Sequence, residues 1–139
     1  MADYRLMLSS TYDECRRLQD FLEVMVEREG FSSGFLQELV VVVKEAFVNA
    51  VRHGNRGNSE KNVCLFFESL SRDLSKELLI DISDCGSGFA IHDIDDPREP
   101  DHVMKSSGRG IFLIRAYAEI LDQQCNEKGC RLRLRMRPY

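Results

Sequence analysis

Residues 36–54 read LQELVVVVKEAFVNAVRHG, and the rest of the chain is organised around this stretch. Its apolar residues recur at intervals of three and four, which is typical of an amphipathic helix with one face against a core. We therefore predict a long helix here. The residues expected on its buried face are Leu36, Leu39, Val40, Val43, Phe47, Ala50 and Val51.

Two polar side chains lie at the margin of this apolar face. Glu45 and Asn49 are four residues apart, so a helix places them on one face, one turn from each other. A carboxylate and an amide beside a buried face cost free energy of desolvation unless they have partners. We therefore expect a ligand, a metal ion or water there, and the alternative interpretation is a plain polar edge of the helix.

The composition is that of one globular domain. The 139 residues are 43% hydrophobic and 30% charged, enough for a single core, so residues 1–139 are taken as one domain. The net charge of -4 argues against a general binder of nucleic acid or anionic membranes. There is no signal segment and no run approaching the roughly 20 apolar residues that span a bilayer, so we expect a cytoplasmic protein.

The cysteines are five, an odd number, and they lack the C-x-x-C spacing of a zinc site. We expect reduced and mostly buried thiols. The five positions are Cys15, Cys64, Cys85, Cys125 and Cys130.

The order of elements predicts an α+β fold. Helices grouped on one face of a mixed, mostly antiparallel sheet make a two-layer α/β sandwich. The loop at about residues 90–109 is long for a compact domain and is predicted to be a functional lid. The predicted elements are an edge strand at 5–8, helices at 12–29 and 36–54, a strand pair at 63–68 and 78–84, a helix at 111–121 and a strand pair at 122–126 and 130–136.

A second stretch with chemical character is DCGSGF, residues 84–89. Strand alternation puts Asp84 on the same face as Ile80 and Ile82, where an inward carboxylate needs a hydrogen-bond donor. The exocyclic amine of adenine is such a donor. Gly86 and Gly88 allow sharp turns and a close approach of the backbone to a flat ring.

A third stretch, SGRG at residues 107–110, precedes a helical pattern. Gly108 and Gly110 at the start of a helix expose backbone N–H groups and the positive end of its dipole, where phosphate oxygens bind. Each of the three motifs is weak by itself. No P-loop motif and no G-x-G-x-x-G after a strand occurs, so those two nucleotide-binding folds are set aside.

Together the three stretches, KEAFVNAVRHGN, DCGSGF and SGRGIFLI, resemble in sequence and order the GHKL ATPase superfamily of gyrases, chaperones and histidine kinases. Within it they are most similar to the small bacterial anti-sigma factor serine/threonine kinases. The resemblance covers nearly the whole chain. It implies the Bergerat ATP-binding fold, with ATP and Mg²⁺ as cofactors.

The resemblance also implies roles for individual residues. Asn49 would hold the Mg²⁺ that bridges the phosphates, and Glu45 would be the base toward an attacking hydroxyl. Asp84 would bind adenine. The remaining nucleotide-binding residues that the resemblance implies are Gly86 and Gly88 beside the base, Gly108, Arg109 and Gly110 around the phosphates, and Lys105 or Arg109 at the γ-phosphoryl.

The function that the resemblance implies is an ATP-binding anti-sigma factor with serine/threonine protein kinase activity. Its partners would be a sigma factor and a phosphorylatable, STAS-type antagonist protein, and the chain would be a homodimer. The alternative is a non-catalytic ATP-binding domain that switches between partners. This alternative stays open because the sequence departs from the family pattern at two positions. Ser106 stands in place of a basic lid residue, and Cys130 stands in place of a common threonine.

Overall fold

The computed structural model describes residues 2–54, 60–72, 75–84, 106–126 and 129–138. A 3-10 turn (Tyr12–Glu14) leads into α1, and a π-helical turn (Ala50–Gly54) follows α2. Most of the predicted lid, together with Gly86, Gly88 and Lys105, lies outside the described residues. The strands and α-helices are β1 (Ala2–Ser9), α1 (Cys15–Glu29), α2 (Ser33–Asn49), β2 (Asn62–Arg72), β3 (Ser75–Ser83), α3 (Ser106–Tyr117), β4 (Glu119–Asn126) and β5 (Gly129–Met136).

The strands form a five-stranded sheet in the order β1-β2-β3-β5-β4. Every pairing between these described strands is antiparallel. The predicted α+β two-layer fold, the edge position of β1 and the β2–β3 hairpin are confirmed, and β1 is twice as long as the four residues predicted.

One face of the sheet carries the core. In β2 the side chains of Val63, Leu65 and Phe67 are buried, whereas Cys64 and Phe66 between them point to the other face. The buried strand residues join apolar residues of all three helices in one cluster, so the helices cover a single face. The helical part of that cluster includes Leu18, Leu22, Met25, Phe35, Leu39, Val43, Phe47 and Ile114.

Local signals set the junction between α1 and α2. Gly30 ends α1 with a φ of 72°, the left-handed conformation that glycine adopts without a Cβ penalty. Ser32 then caps α2, because its hydroxyl oxygen accepts a hydrogen bond from the Phe35 N–H at 3.1 Å. The stop at Gly30 is as predicted, but α2 begins at Ser33, three residues before the predicted start.

The third helix begins at the SGRG stretch that was expected to open it, five residues before Ile111, the first apolar residue of the predicted pattern, but its predicted end at Leu121 is wrong. Helix α3 spans Ser106–Tyr117, and β4 begins at Glu119. Glu119 and Ile120 pair with Arg135 and Leu134 of β5. Pairing with the following strand, β5, therefore overrides the helical spacing that had placed residues 118–121 in the helix. None of the helices in the described ranges is long and apolar enough to cross a membrane.

The expectation of five reduced thiols is also wrong, since Cys125 and Cys130 form a disulfide. The predicted turn left three residues between the strands, but Asn126 pairs with Gly129, so the connection has two. This one-residue change puts Cys125 directly opposite Cys130. Gly129 leaves the turn with a φ of 147°, which other residues rarely adopt. Cys15 is half-buried and Cys64 is exposed.

Candidate nucleotide-binding site

Asn49 is the last residue of α2 and is only 5% exposed. Its side-chain amide nitrogen is buried and has no hydrogen-bond partner among the residues that the structure describes. Leaving a buried amide unpaired costs about 1–3 kcal/mol, so such groups are uncommon unless something else binds them. The nitrogen and oxygen of an amide exchange places by a half-turn of the side chain, so the same position can offer a donor or an acceptor to a ligand.

The backbone changes its hydrogen bonding where Asn49 lies. The N–H of Ala50 bonds to the carbonyls of both Ala46 and Phe47, and a π-helical turn continues to Gly54. Single π-helical turns at the end of an α-helix are frequent at functional sites, because they redirect side chains that a regular helix would hold in line. The turn therefore supports a binding role for this end of α2.

Glu45 lies one turn before Asn49 and is partly exposed. Within the described residues its carboxylate makes no hydrogen bond and no ion pair. Its charge acts on Cys15, the first residue of α1. Burial raises the pKa of the Cys15 thiol, the positive charge of Lys44 lowers that pKa, and the negative charge of Glu45 raises it. Glu45 is thus an unengaged carboxylate near the buried amide, as a base acting on an incoming hydroxyl requires.

Asp84 follows β3 and is partly buried. Its N–H donates to the Cys130 carbonyl at 2.9 Å, and its carboxylate oxygen Oδ1 accepts a hydrogen bond from the Cys130 N–H at 3.2 Å. Alternation along β3 places Asp84 on the face of Ile80 and Ile82, both buried, as the sequence predicted. The carboxylate therefore lies on the helix side of the sheet.

The third predicted stretch lies at the start of α3, since Gly108 and Arg109 fall in its first turn and Gly110 follows them. Helix α3 packs against α2, and Tyr117 near its end shares a cavity with Gln37 and Val41 of α2. Gln37 and Val41 lie near the start of α2, which begins at Ser33. A parallel α3 would extend beyond that start, where there is no helix to pack against, so α3 runs antiparallel to α2.

This direction brings the start of α3 toward Asn49. The 12 residues of α3 rise about 17 Å, and the stretch of α2 from Val41 to Asn49 rises about 12 Å. The backbone N–H groups of the first turn of α3, which have no partner within a helix, therefore lie at the Asn49 end of α2. An anion between them would meet the positive end of the α3 dipole.

The donor set fits a magnesium nucleotide better than a metal held by protein alone. The described residues contain no group of three or more His, Cys, Asp or Glu side chains that could bind a metal. Mg²⁺ is commonly held by one or two protein oxygens together with substrate phosphates and water. The side-chain oxygen of Asn49 could supply one such ligand, and Glu45 is one turn away.

A groove of about 600 Å³ lies on the sheet face that the helices leave uncovered. Asp81 lines it and forms a two-point ion pair with Arg133, at 2.8 and 3.0 Å. None of the predicted site residues lines this groove, so it is not the predicted site. Its other lining residues are Arg5, Leu6, Met7, Cys64, Leu65, Phe66, Ser83 and Arg131.

Comparison with known proteins identifies the domain. The sequence pattern of the histidine kinase-like ATPase domain matches residues 8–136. The chain belongs to this family. The predicted superfamily is thereby confirmed, and this ATPase domain takes up nearly the entire chain.

Two individual proteins are similar to this ATPase domain. The serine-protein kinase RsbW of Oceanobacillus iheyensis is 31% identical over 101 residues, which cover 68% of this chain and 61% of that protein. The solved structure of the RsbU and RsbW domains of a Mycobacterium tuberculosis protein aligns with a TM-score of 0.65 at 16% identity, covering 99% of this chain and 33% of the other. The second likeness shows the fold alone.

The sequence analysis missed one feature of this site, the Cys125–Cys130 disulfide next to Asp84. The signal was present in the spacing. A two-residue hairpin loop over residues 127–128 makes positions 125 and 130 direct neighbours, and two-residue loops are the commonest hairpin connections. The disulfide was not predicted because the odd number of cysteines was interpreted as a set of reduced thiols.

Proposed function

We propose that this protein is an ATP-dependent serine/threonine protein kinase that also acts as an anti-sigma factor. The observation that carries the proposal is the buried amide nitrogen of Asn49, which has no hydrogen-bond partner within the described ranges and lies one turn from the Glu45 carboxylate. Membership of the histidine kinase-like ATPase family and similarity to a serine-protein kinase support it.

In the proposed complex Asn49 would hold the Mg²⁺ of a magnesium nucleotide, and Asp84 accepts a hydrogen bond from the adenine amine. When bound, Mg²⁺ supplies charge neutralisation on the phosphate oxygens. The start of α3, with Gly108, Arg109 and Gly110, binds phosphate through the free backbone N–H groups of its first turn. The roles of Lys105, Gly86 and Gly88, near the γ-phosphoryl and the base, remain predictions from the resemblance.

Glu45 is the proposed base. A serine or threonine oxygen of the substrate attacks the γ-phosphorus, the bond to the leaving ADP oxygen breaks, and the hydroxyl proton passes to the Glu45 carboxylate. The proposed substrate is a STAS-type antagonist, and the competing partner is a sigma factor. We also propose that the working unit is a homodimer, which sedimentation equilibrium of the purified chain tests.

The deciding experiment measures phosphate transfer from γ-labelled ATP to candidate antagonists. Replacing a general base typically lowers the rate roughly 10²–10⁴-fold. Glu45→Ala should therefore lose transfer by that factor while binding ATP as the parent does. Glu38→Ala is the matched control, because Glu38 lies on the same helix but near Tyr117, away from Asn49. It should keep both transfer and binding.

The non-catalytic alternative gives a different result. If the parent protein transfers phosphate to no candidate, and its binding to those candidates still depends on whether ATP or ADP is present, the domain is a partner switch and not a kinase.

A further inference from the structure

The Cys125–Cys130 disulfide lies at the same end of the sheet as Asp84. Asp84 is hydrogen-bonded to Cys130, and Cys130 is paired with Cys125 in the next strand. Directly paired positions in neighbouring strands point their side chains to the same face. The carboxylate and the two sulfur atoms therefore form one row on the face that carries the proposed adenine site.

The two cysteines differ in exposure. Cys130 is 7% exposed, so its sulfur faces the protein interior beside Asp84. Cys125, on the edge strand β4, is exposed to solvent. A small reductant or oxidant in solution can therefore reach the pair from the Cys125 side. The reaction also changes the state of the Cys130 sulfur, which lies beside Asp84.

We propose that Cys125 and Cys130 are a redox-controlled part of the nucleotide site, and that the dithiol form binds ATP more tightly than the disulfide form. This inference rests on the proposed function, in which Asp84 accepts a hydrogen bond from adenine. Next to its amine donor, adenine presents a ring nitrogen that accepts a hydrogen bond. The Cys130 thiol carries a hydrogen that it can donate there, whereas a disulfide sulfur carries none and is held toward Cys125.

The exchange balances with a small dithiol as reductant. One of its thiolates attacks the exposed Cys125 sulfur, the S–S bond breaks, and Cys130 leaves as a thiolate that takes a proton from water. The second thiolate of the reductant then displaces Cys125, which is also protonated, and the reductant ends as a cyclic disulfide. In the reverse direction, hydrogen peroxide accepts two electrons and two protons from the two thiols and yields two waters.

The chain offers a matched control in Cys64. It is an exposed cysteine on the opposite face of the sheet, in the groove that contains none of the site residues. Oxidation that acts by a general effect on thiols would involve Cys64, whereas the proposed effect depends only on the pair beside Asp84.

The test is calorimetric titration of MgATP into the full chain, once with excess dithiol and once after oxidation by peroxide, with mass spectrometry counting free thiols. One weak hydrogen bond corresponds to a roughly three- to tenfold change in Kd. We expect the reduced parent to bind more tightly by that factor. Cys125→Ser should bind as the reduced parent under both conditions, and Cys130→Ala should bind under both as the oxidised parent. Cys64→Ser should keep the full response.

The outcomes separate this inference from the proposed function. Equal affinity in both redox states, tighter binding by the oxidised form, or no disulfide formed by peroxide would each overturn the redox inference. In those cases an Asp84→Asn variant that still loses ATP binding would leave the proposed function standing. If neither form binds MgATP, both the proposed function and the inference fail.

Discussion

Asp84 and Cys130 are joined by two hydrogen bonds, from the Asp84 N–H to the Cys130 carbonyl at 2.9 Å and from the Cys130 N–H to the Asp84 carboxylate at 3.2 Å. They are 46 positions apart in the chain. This pair continues the β3–β5 ladder by one step beyond Ser83 and Arg131. The carboxylate is therefore oriented by the backbone of the terminal hairpin before any base binds.

The first prediction concerns base recognition by this carboxylate. Asp84→Asn replaces the proposed acceptor for the adenine amine by a group that is partly a donor, so ATP binding should weaken by roughly 10- to 100-fold. Asp81→Asn is the matched control, because Asp81 lies on the other sheet face and binds Arg133. Titration calorimetry measures both. Unchanged affinity in Asp84→Asn would show that adenine is read elsewhere.

The second prediction is that Asn49 is retained for binding at the expense of stability. Asn49→Ala removes a buried amide whose nitrogen has no hydrogen-bond partner in the described part of the chain. Unfolding of the nucleotide-free protein should therefore cost as much free energy as in the parent, or about 1 kcal/mol more. MgATP binding should fall at least about tenfold. Urea unfolding and calorimetry give the two values. A large loss of stability with normal binding would make Asn49 structural.

The third prediction sets the scale of core packing on the same helix. Phe47 is fully buried in the cluster between α2 and the sheet, so Phe47→Ala should lower the free energy of unfolding by about 3–5 kcal/mol. Phe112→Ala removes a ring that is 45% exposed and should change it by no more than about 0.5 kcal/mol. Equal effects of the two changes in urea unfolding would contradict the described core.

The fourth prediction concerns acid stability. Hydrogen bonds from Ser69 and from Tyr4, the latter at 2.5 Å, lower the pKa of Glu29. A carboxyl whose pKa is lower in the folded than in the unfolded state stabilises the fold above its unfolded pKa. That contribution is lost as the pH falls through the folded pKa. The parent should therefore lose stability below pH about 4.3 more steeply than Glu29→Gln.

A matched variant separates the two donors to Glu29. Tyr4→Phe removes one hydrogen bond and leaves the bond from Ser69, so its acid dependence should lie between those of the parent and Glu29→Gln. Thermal unfolding followed at several pH values measures all three. If the three proteins lose stability in parallel, Glu29 is not the group responsible.

Several features of this protein were predictable from the sequence because they depend on near neighbours. The three- and four-residue spacing in α2, the alternation of Val63, Leu65 and Phe67, and the stop at Gly30 each reflect the geometry of a few consecutive residues. The same holds for Glu45 and Asn49, whose separation of four residues places them together on any helix. The order of the three motifs was enough to indicate the ATPase family.

The tertiary structure decided what depends on contacts between distant parts of the chain. Whether residues 119–121 join α3 or β4 is settled by pairing with β5, and a hairpin loop shorter by one residue converts two cysteines into a disulfide. The burial of Asn49, whose amide nitrogen has no partner among the described residues, and the hydrogen bonding of Asp84 to Cys130 both follow from tertiary packing. The spacing of residues within one helix or strand does not determine which residue of another element will contact it. These relationships could therefore be read only from the folded chain.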